Sequence, residues 1–133
     1  MNAQNIFYWA ARIIAAVIMA QTLFFKFTGA EESIEVFTKM GMEPWGRYGT
    51  GSVELVASVL LLLNPTARWG ALLACGTMAG AIGSHLFVLG IESHGDGGYL
   101  FILACTVMVC SLYVIWVNKE LLLKAFAGAR HRL

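Results

Sequence analysis

The sequence predicts an all-α fold: an integral membrane four-helix bundle with a short amphipathic helix in its first loop. Three observations carry that reading. Hydrophobic residues fill 59% of the 133 positions and charged residues only 13%, whereas a soluble domain carries about a quarter charged residues to solvate its surface. Four stretches come near the length of about 20 apolar residues that a helix needs to cross a hydrocarbon core. The Trp and Tyr residues then fall near the ends of those stretches: Tyr8, Trp9, Trp45, Tyr48, Trp69, Tyr99, Tyr113 and Trp116. Amphipathic rings are best solvated at membrane–water interfaces.

The spans are placed at about 6–25, 45–63, 69–89 and 99–117, within a single transmembrane domain covering 1–133. Helix is the state expected of each, because lipid cannot satisfy backbone groups from outside the segment. The first stretch has no Lys or Arg before it and no small-residue cleavage motif after it, so it reads as a retained helix. Between the first two spans, Ile34, Phe37 and Met40 recur at near-helical spacing behind Glu31 and Glu32. Carboxylates suit a helix N-terminus, and the pattern predicts a short helix on the membrane face, either a connector or a lid. Gly41 stops it and Pro44 suits the start of the next span. Asn64-Pro65-Thr66-Ala67-Arg68 is a tight turn, and the glycine-rich third loop holds no phosphate-binding pattern.

Basic residues set the orientation. With four spans, Arg12, Arg68, Lys119, Lys124, Arg130 and Arg132 share the side of both termini, against Lys26, Lys39 and Arg47 on the other. Both termini are therefore expected in the cytoplasm, with 118–133 a basic helical tail at the anionic leaflet. A net charge of +1 offers no stripe for nucleic acid. Lipid is the first partner implied.

Polar residues within spans carry most of the functional information, since a charge at the bilayer centre costs about 2.5–3.5 kcal/mol on insertion scales. Gln21 lies about a turn before the outer end of the first span, and Lys26 lies at that end. Glu54 is about 9 Å inside Tyr48, and His85 about 7 Å from the outer end of the third span, at 1.5 Å per residue. Three spans thus bring polar groups to one layer. Gly51, Glu54 and Ser58 form a narrow stripe, as do Thr106, Cys110 and Tyr113, and both stripes are expected to face the bundle interior. Gly76 and Gly80 form a GxxxG that permits close approach within the bundle or between copies of a homo-oligomer.

A carboxylate, an imidazole, an ammonium and an amide can do several things. They can be a structural pair holding helices in register, a pocket for a small molecule or quinone head group, or a metal site. Glu92, His94 and Asp96 extend the metal reading beyond His85, but none of the spacings is diagnostic, and Asp96 before two glycines is equally a helix cap. Arg12 is expected to snorkel to the head groups, or else to join the Asn64 turn. Cys75, Cys105 and Cys110 sit in apolar runs with no zinc or disulfide spacing. Catalytic motifs are absent: there is no GxSxG, no Cys/His constellation and no haem, flavin or iron–sulfur signature. Whether the chain is an enzyme stays open.

Phe25-Lys26-Phe27-Thr28-Gly29, Gly49-Thr50-Gly51-Ser52-Val53-Glu54-Leu55 and Gly80-Ala81-Ile82-Gly83-Ser84-His85-Leu86 occur in order across the spans. In these segments the chain resembles the DoxX-like family of small bacterial membrane proteins. The resemblance implies an inner-membrane location and association with quinone-linked redox or oxidative-stress systems, with partner redox subunits and a quinone as the implied ligand. It carries over Lys26, Glu54 and His85 as the family's polar residues. The alternatives to a quinone-linked subunit are a non-enzymatic assembly protein and a carrier of a metal or small solute.

Overall fold

The computed structural model describes residues 2–92 and 95–132, with side chains to residue 128. Among the described residues six α-helices form: α1 (Ala3–Thr28), α2 (Glu31–Lys39), α3 (Trp45–Leu62), α4 (Ala67–Ser84), α5 (Tyr99–Val117) and α6 (Lys119–Arg132). A 3-10 turn at Asn64–Thr66 precedes α4, and a π-helical turn at His85–Leu89 continues it. No strand occurs among the described residues. The count of four covered the bundle spans alone; with the loop helix α2 and the tail helix α6, both expected as helical, the described residues hold six α-helices.

Local chemistry explains the boundaries. The Asn2 side chain accepts from the Asn5 N–H at 2.9 Å and starts α1. Gly29 ends it in the left-handed region at φ 71°, where its N–H reaches the Phe25 carbonyl. The glutamates expected to open α2 are in its first turn. Asp96 accepts from the Gly98 and Leu100 N–H groups at 2.8 and 3.0 Å, so it caps α5.

Helices α1, α3, α4 and α5 pack in a ring in that order. Its interior is made of small residues: Ala11, Ala15, Ala57, Ala71 and Ala74 are buried, with Met19, Leu61, Met78, Val107 and Val114 between them. Large apolar side chains point outward instead; Phe24, Val109 and Phe87 are 65%, 66% and 87% exposed. A fold in water buries its large apolar residues. This arrangement is the reverse, and it is what lipid contact requires, since small residues let helices approach while lipid takes the rest.

Three helical stretches are long and apolar enough to cross a membrane: Ala3–Thr28, Asn64–Leu89 and Tyr99–Val117. Helix α3 is 18 residues long but is not among them, because Arg47, Glu54 and its glycines lower its hydropathy. Those charges are turned inward, where Arg47 and Glu54 are 4% and 3% exposed.

At the end of the ring that bears the termini, packing is tight. A Cβ on Gly70 would lie 2.7 Å from the Leu61 nitrogen and 2.8 Å from the Ala57 oxygen, so α3 and α4 meet there at the level of backbone. The Asn118 amide donates to the Tyr8 hydroxyl at 2.9 Å, and Phe126 of α6 meets Trp69 edge to face. Arg12 is not snorkelled. It is 1% exposed, with Nε donating to the Leu61 carbonyl at 2.6 Å and Nη1 to Asn64 Oδ1 at 3.1 Å. Its guanidinium lies 3.7 Å from the Trp9 ring centroid. The last carbonyls of α3 have no partner within the helix, and a cation there also opposes the negative end of the helix dipole.

Candidate functional site

The opposite end of the ring, beneath α2, is hollow. A cavity of about 900 Å³ is bounded by all four ring helices and covered by Ser33, Val36 and Phe37 of α2, with Met40 just past its end. Phe37 is buried, as the apolar spacing of that segment implied.

Lys26 enters the cavity wall from the last turn of α1, and Glu54 from the middle of α3. Lys26 Nζ lies 2.9 Å from Glu54 Oε1 and 2.7 Å from Oε2, so the ammonium bridges both carboxylate oxygens. Both side chains are largely withdrawn from the surface, at 15% and 4% exposed. The Thr22 hydroxyl stands 3.5 Å from Glu54 Oε2 while donating to the Met19 carbonyl at 2.9 Å. A charge-assisted pair of this geometry is strong when dry, and removing either member leaves a buried charge uncompensated.

His85 comes from the π-helical turn. It is 3% exposed, its Nδ1 lies 2.9 Å from the Gly90 carbonyl, and its ring meets Phe101 edge to face. A carbonyl only accepts, so Nδ1 carries the hydrogen and the Nε2 of the neutral ring presents a lone pair. A π turn displaces one residue from the α-helical ladder and is frequent at functional sites.

Gln21, Lys26, Glu54 and His85, assigned to one layer by depth, all line this cavity. Gln21 sits at its exposed rim. Thr106 does not join them. Its hydroxyl donates to the Ile102 carbonyl at 2.8 Å, and the residue lines a separate shallow groove with Cys105 and Cys110. The buried face of α5 is Ala104, Val107, Ser111 and Val114. That helix is apolar all round, so spacing alone could not choose its inward face. The stripe Gly51, Glu54 and Ser58 on α3 does face inward.

Gly76 and Gly80 are exposed, and a Cβ on either would meet no atom within 4 Å, so the GxxxG does not pack the bundle. Gly70 makes the close contact instead. Among the described residues no three His, Cys, Asp or Glu side chains come together as a metal centre. Glu92 accepts from the Gly97 N–H at 3.2 Å, Asp96 caps α5, and His94 lies outside the described residues.

One site residue escaped the sequence reading. Arg47 figures there only as a loop charge, yet it donates to Glu43 through Nε and Nη2, and its Nη1 donates to the Lys26 backbone carbonyl. It fixes the end of α1 against the start of α3 and so aims Lys26 at Glu54. The i,i+4 spacing of Glu43 and Arg47 was the available signal.

No curated protein and no solved structure matches the chain. The DoxX family model matches residues 7–90, well over half of the sequence. The matched part contains Lys26, Glu54 and His85, which all line the cavity. The chain belongs to the DoxX family.

Proposed function

We propose that this protein is a small inner-membrane subunit of a quinone-linked redox or oxidative-stress system, and that its cavity binds the polar head of a membrane-soluble ligand. The observation that carries this reading is that a buried Glu54 paired with a half-buried Lys26, and a buried His85, border one mostly apolar cavity. A few convergent polar groups in an apolar hollow are the usual form of a small-molecule site. The chain shows no redox centre of its own type in sequence, so electrons would pass through a bound quinone or a partner subunit.

In this reading α3 crosses the bilayer with α1, α4 and α5. Its 18 residues span about 27 Å at 1.5 Å per residue, and its charges are paired inside. Both termini face the cytoplasm by the excess of basic residues at that end, which puts the cavity near the periplasmic side.

The test is gentle purification followed by mass spectrometry of the lipid extract and metal analysis of the same sample. A quinone that is retained by the wild type and lost from the paired variant Lys26→Met/Glu54→Met and from His85→Gln, with folding intact, is the expected result. Loss of folding in both variants, with no retained molecule, would sink the reading.

A second reading is favoured by the completeness of the Lys26–Glu54 pair, which ties α1 to α3 without any ligand. On that reading the pair is register glue in an assembly protein, and the exposed Gly76–Gly80 face of α4 meets a partner or a second copy. Co-purification of a protein partner with no small molecule would support it.

A further inference from the structure

Two features of the cavity are left unexplained by the ion pair. The first is where it opens. Helices α3 and α4 are in backbone contact at Gly70 but part toward the α2 end. There Gly49 and Val53 on α3, and Gly76 and Gly80 on α4, are both exposed and part of the cavity wall. A Cβ at Gly49, Gly76 or Gly80 would meet nothing within 4 Å. The window is flanked by exposed Val56 and Leu73, so it faces the apolar flank of the bundle. The cavity also reaches the surface beside Gln21, Phe25 and Tyr99, where its edge is made of large side chains.

The second feature is the polarity of His85. Its Nδ1 is engaged by the Gly90 carbonyl, and among the described residues no donor stands against Nε2. A ring 3% exposed therefore offers an unpartnered acceptor to an apolar hollow. Nε2 is not among the fully buried unpartnered atoms, so it keeps surface accessible to an occupant, and one that brings a donor would gain a hydrogen bond there.

From these two features we infer that the occupant is lipid-borne and bears a hydroxyl or N–H donor. The donor sits against His85 Nε2, and the apolar body leaves through the glycine window between α3 and α4. This inference rests on the pocket reading above and specifies its ligand: a hydroxyl-bearing head, as in the reduced quinol form of a quinone, binds more tightly than one that offers only acceptors, as in the oxidised form. The lateral window also gives the ligand a path from the bilayer.

The experiment uses the full chain in nanodiscs of phosphatidylethanolamine and phosphatidylglycerol, read against empty nanodiscs. The probes are para-nonylphenol and para-nonylanisole, its methyl ether, which share an apolar body and differ in the donor. The phenol should bind about tenfold more tightly than the ether, as one buried hydrogen bond allows. His85→Phe should abolish the difference. The double variant Gly76→Leu/Gly80→Leu fills open space and should fold, while lowering the association rate of both probes severalfold. Equal affinity of the two probes for the wild type overturns the donor assignment. Unchanged association in the leucine variant overturns the window, as does a dimer sealed through the Gly76–Gly80 face and broken by those substitutions. If neither probe binds the wild type, the pocket reading itself fails.

Discussion

Each end of the helix ring draws a cation in from the surface, and Arg12 and Lys26 are used differently. At the termini end, Arg12 is committed to the Leu61 carbonyl and Asn64, against a Trp9 ring. At the α2 end, Lys26 is held by a carboxylate and borders a hollow of about 900 Å³. The contrast extends to the glycines of α4. Gly70 is pressed against the backbone of α3, while Gly76 and Gly80 face open space. One end is built for closure and the other leaves polar groups within reach of a guest.

Substitutions can break or sharpen that contrast. The largest effect is expected from Lys26→Met, which strands the Glu54 carboxylate in an apolar wall and should destabilise by about 3–5 kcal/mol. Reversible unfolding in mixed detergent micelles measures it. Combining Lys26→Met with Glu54→Met should recover most of that loss, because a buried pair and an apolar pair of similar volume are often of comparable stability. A double variant as unstable as the single one would show that Glu54 has structural partners besides Lys26.

Arg12→Met comes next. It should cost about 2–3 kcal/mol in the same titration, by leaving the Leu61 carbonyl and Asn64 without their charged donor. It should leave ligand retention in the cavity unchanged. Gly70→Leu forces α3 and α4 apart and should destabilise by about 1–3 kcal/mol or more. The matched change Gly80→Leu should stay within about 0.5 kcal/mol of the wild type, as expected of an open surface position. Equal effects at the two glycines would mean that the helices do not part as described.

Much of this molecule was legible before folding. Long apolar runs specify helices, and rise per residue converts sequence position into depth. That is how Lys26, Glu54 and His85 could be assigned to one layer. The amphipathic α2 was visible in three apolar residues, and Phe37 is buried as that spacing implied. Rotation about a helix axis is less accessible. On α3, small and polar residues against Val and Leu mark the inward face. On α5 nearly every residue is apolar, and Thr106 and Cys110 turned out to lie outside the main cavity.

The sequence by itself therefore determined the class of protein, the axial positions of its polar groups and the family to which the chain belongs. Tertiary structure decided which groups meet: Arg12 with the end of α3, Arg47 with the Lys26 carbonyl, Gly70 as the close contact in place of the GxxxG. The physical reason is that helix geometry is local, set by each segment's own backbone hydrogen bonds. Helix rotation and pairing are set by complementary surfaces contributed by residues far apart in the chain, and in lipid no difference in apolarity is available to encode them.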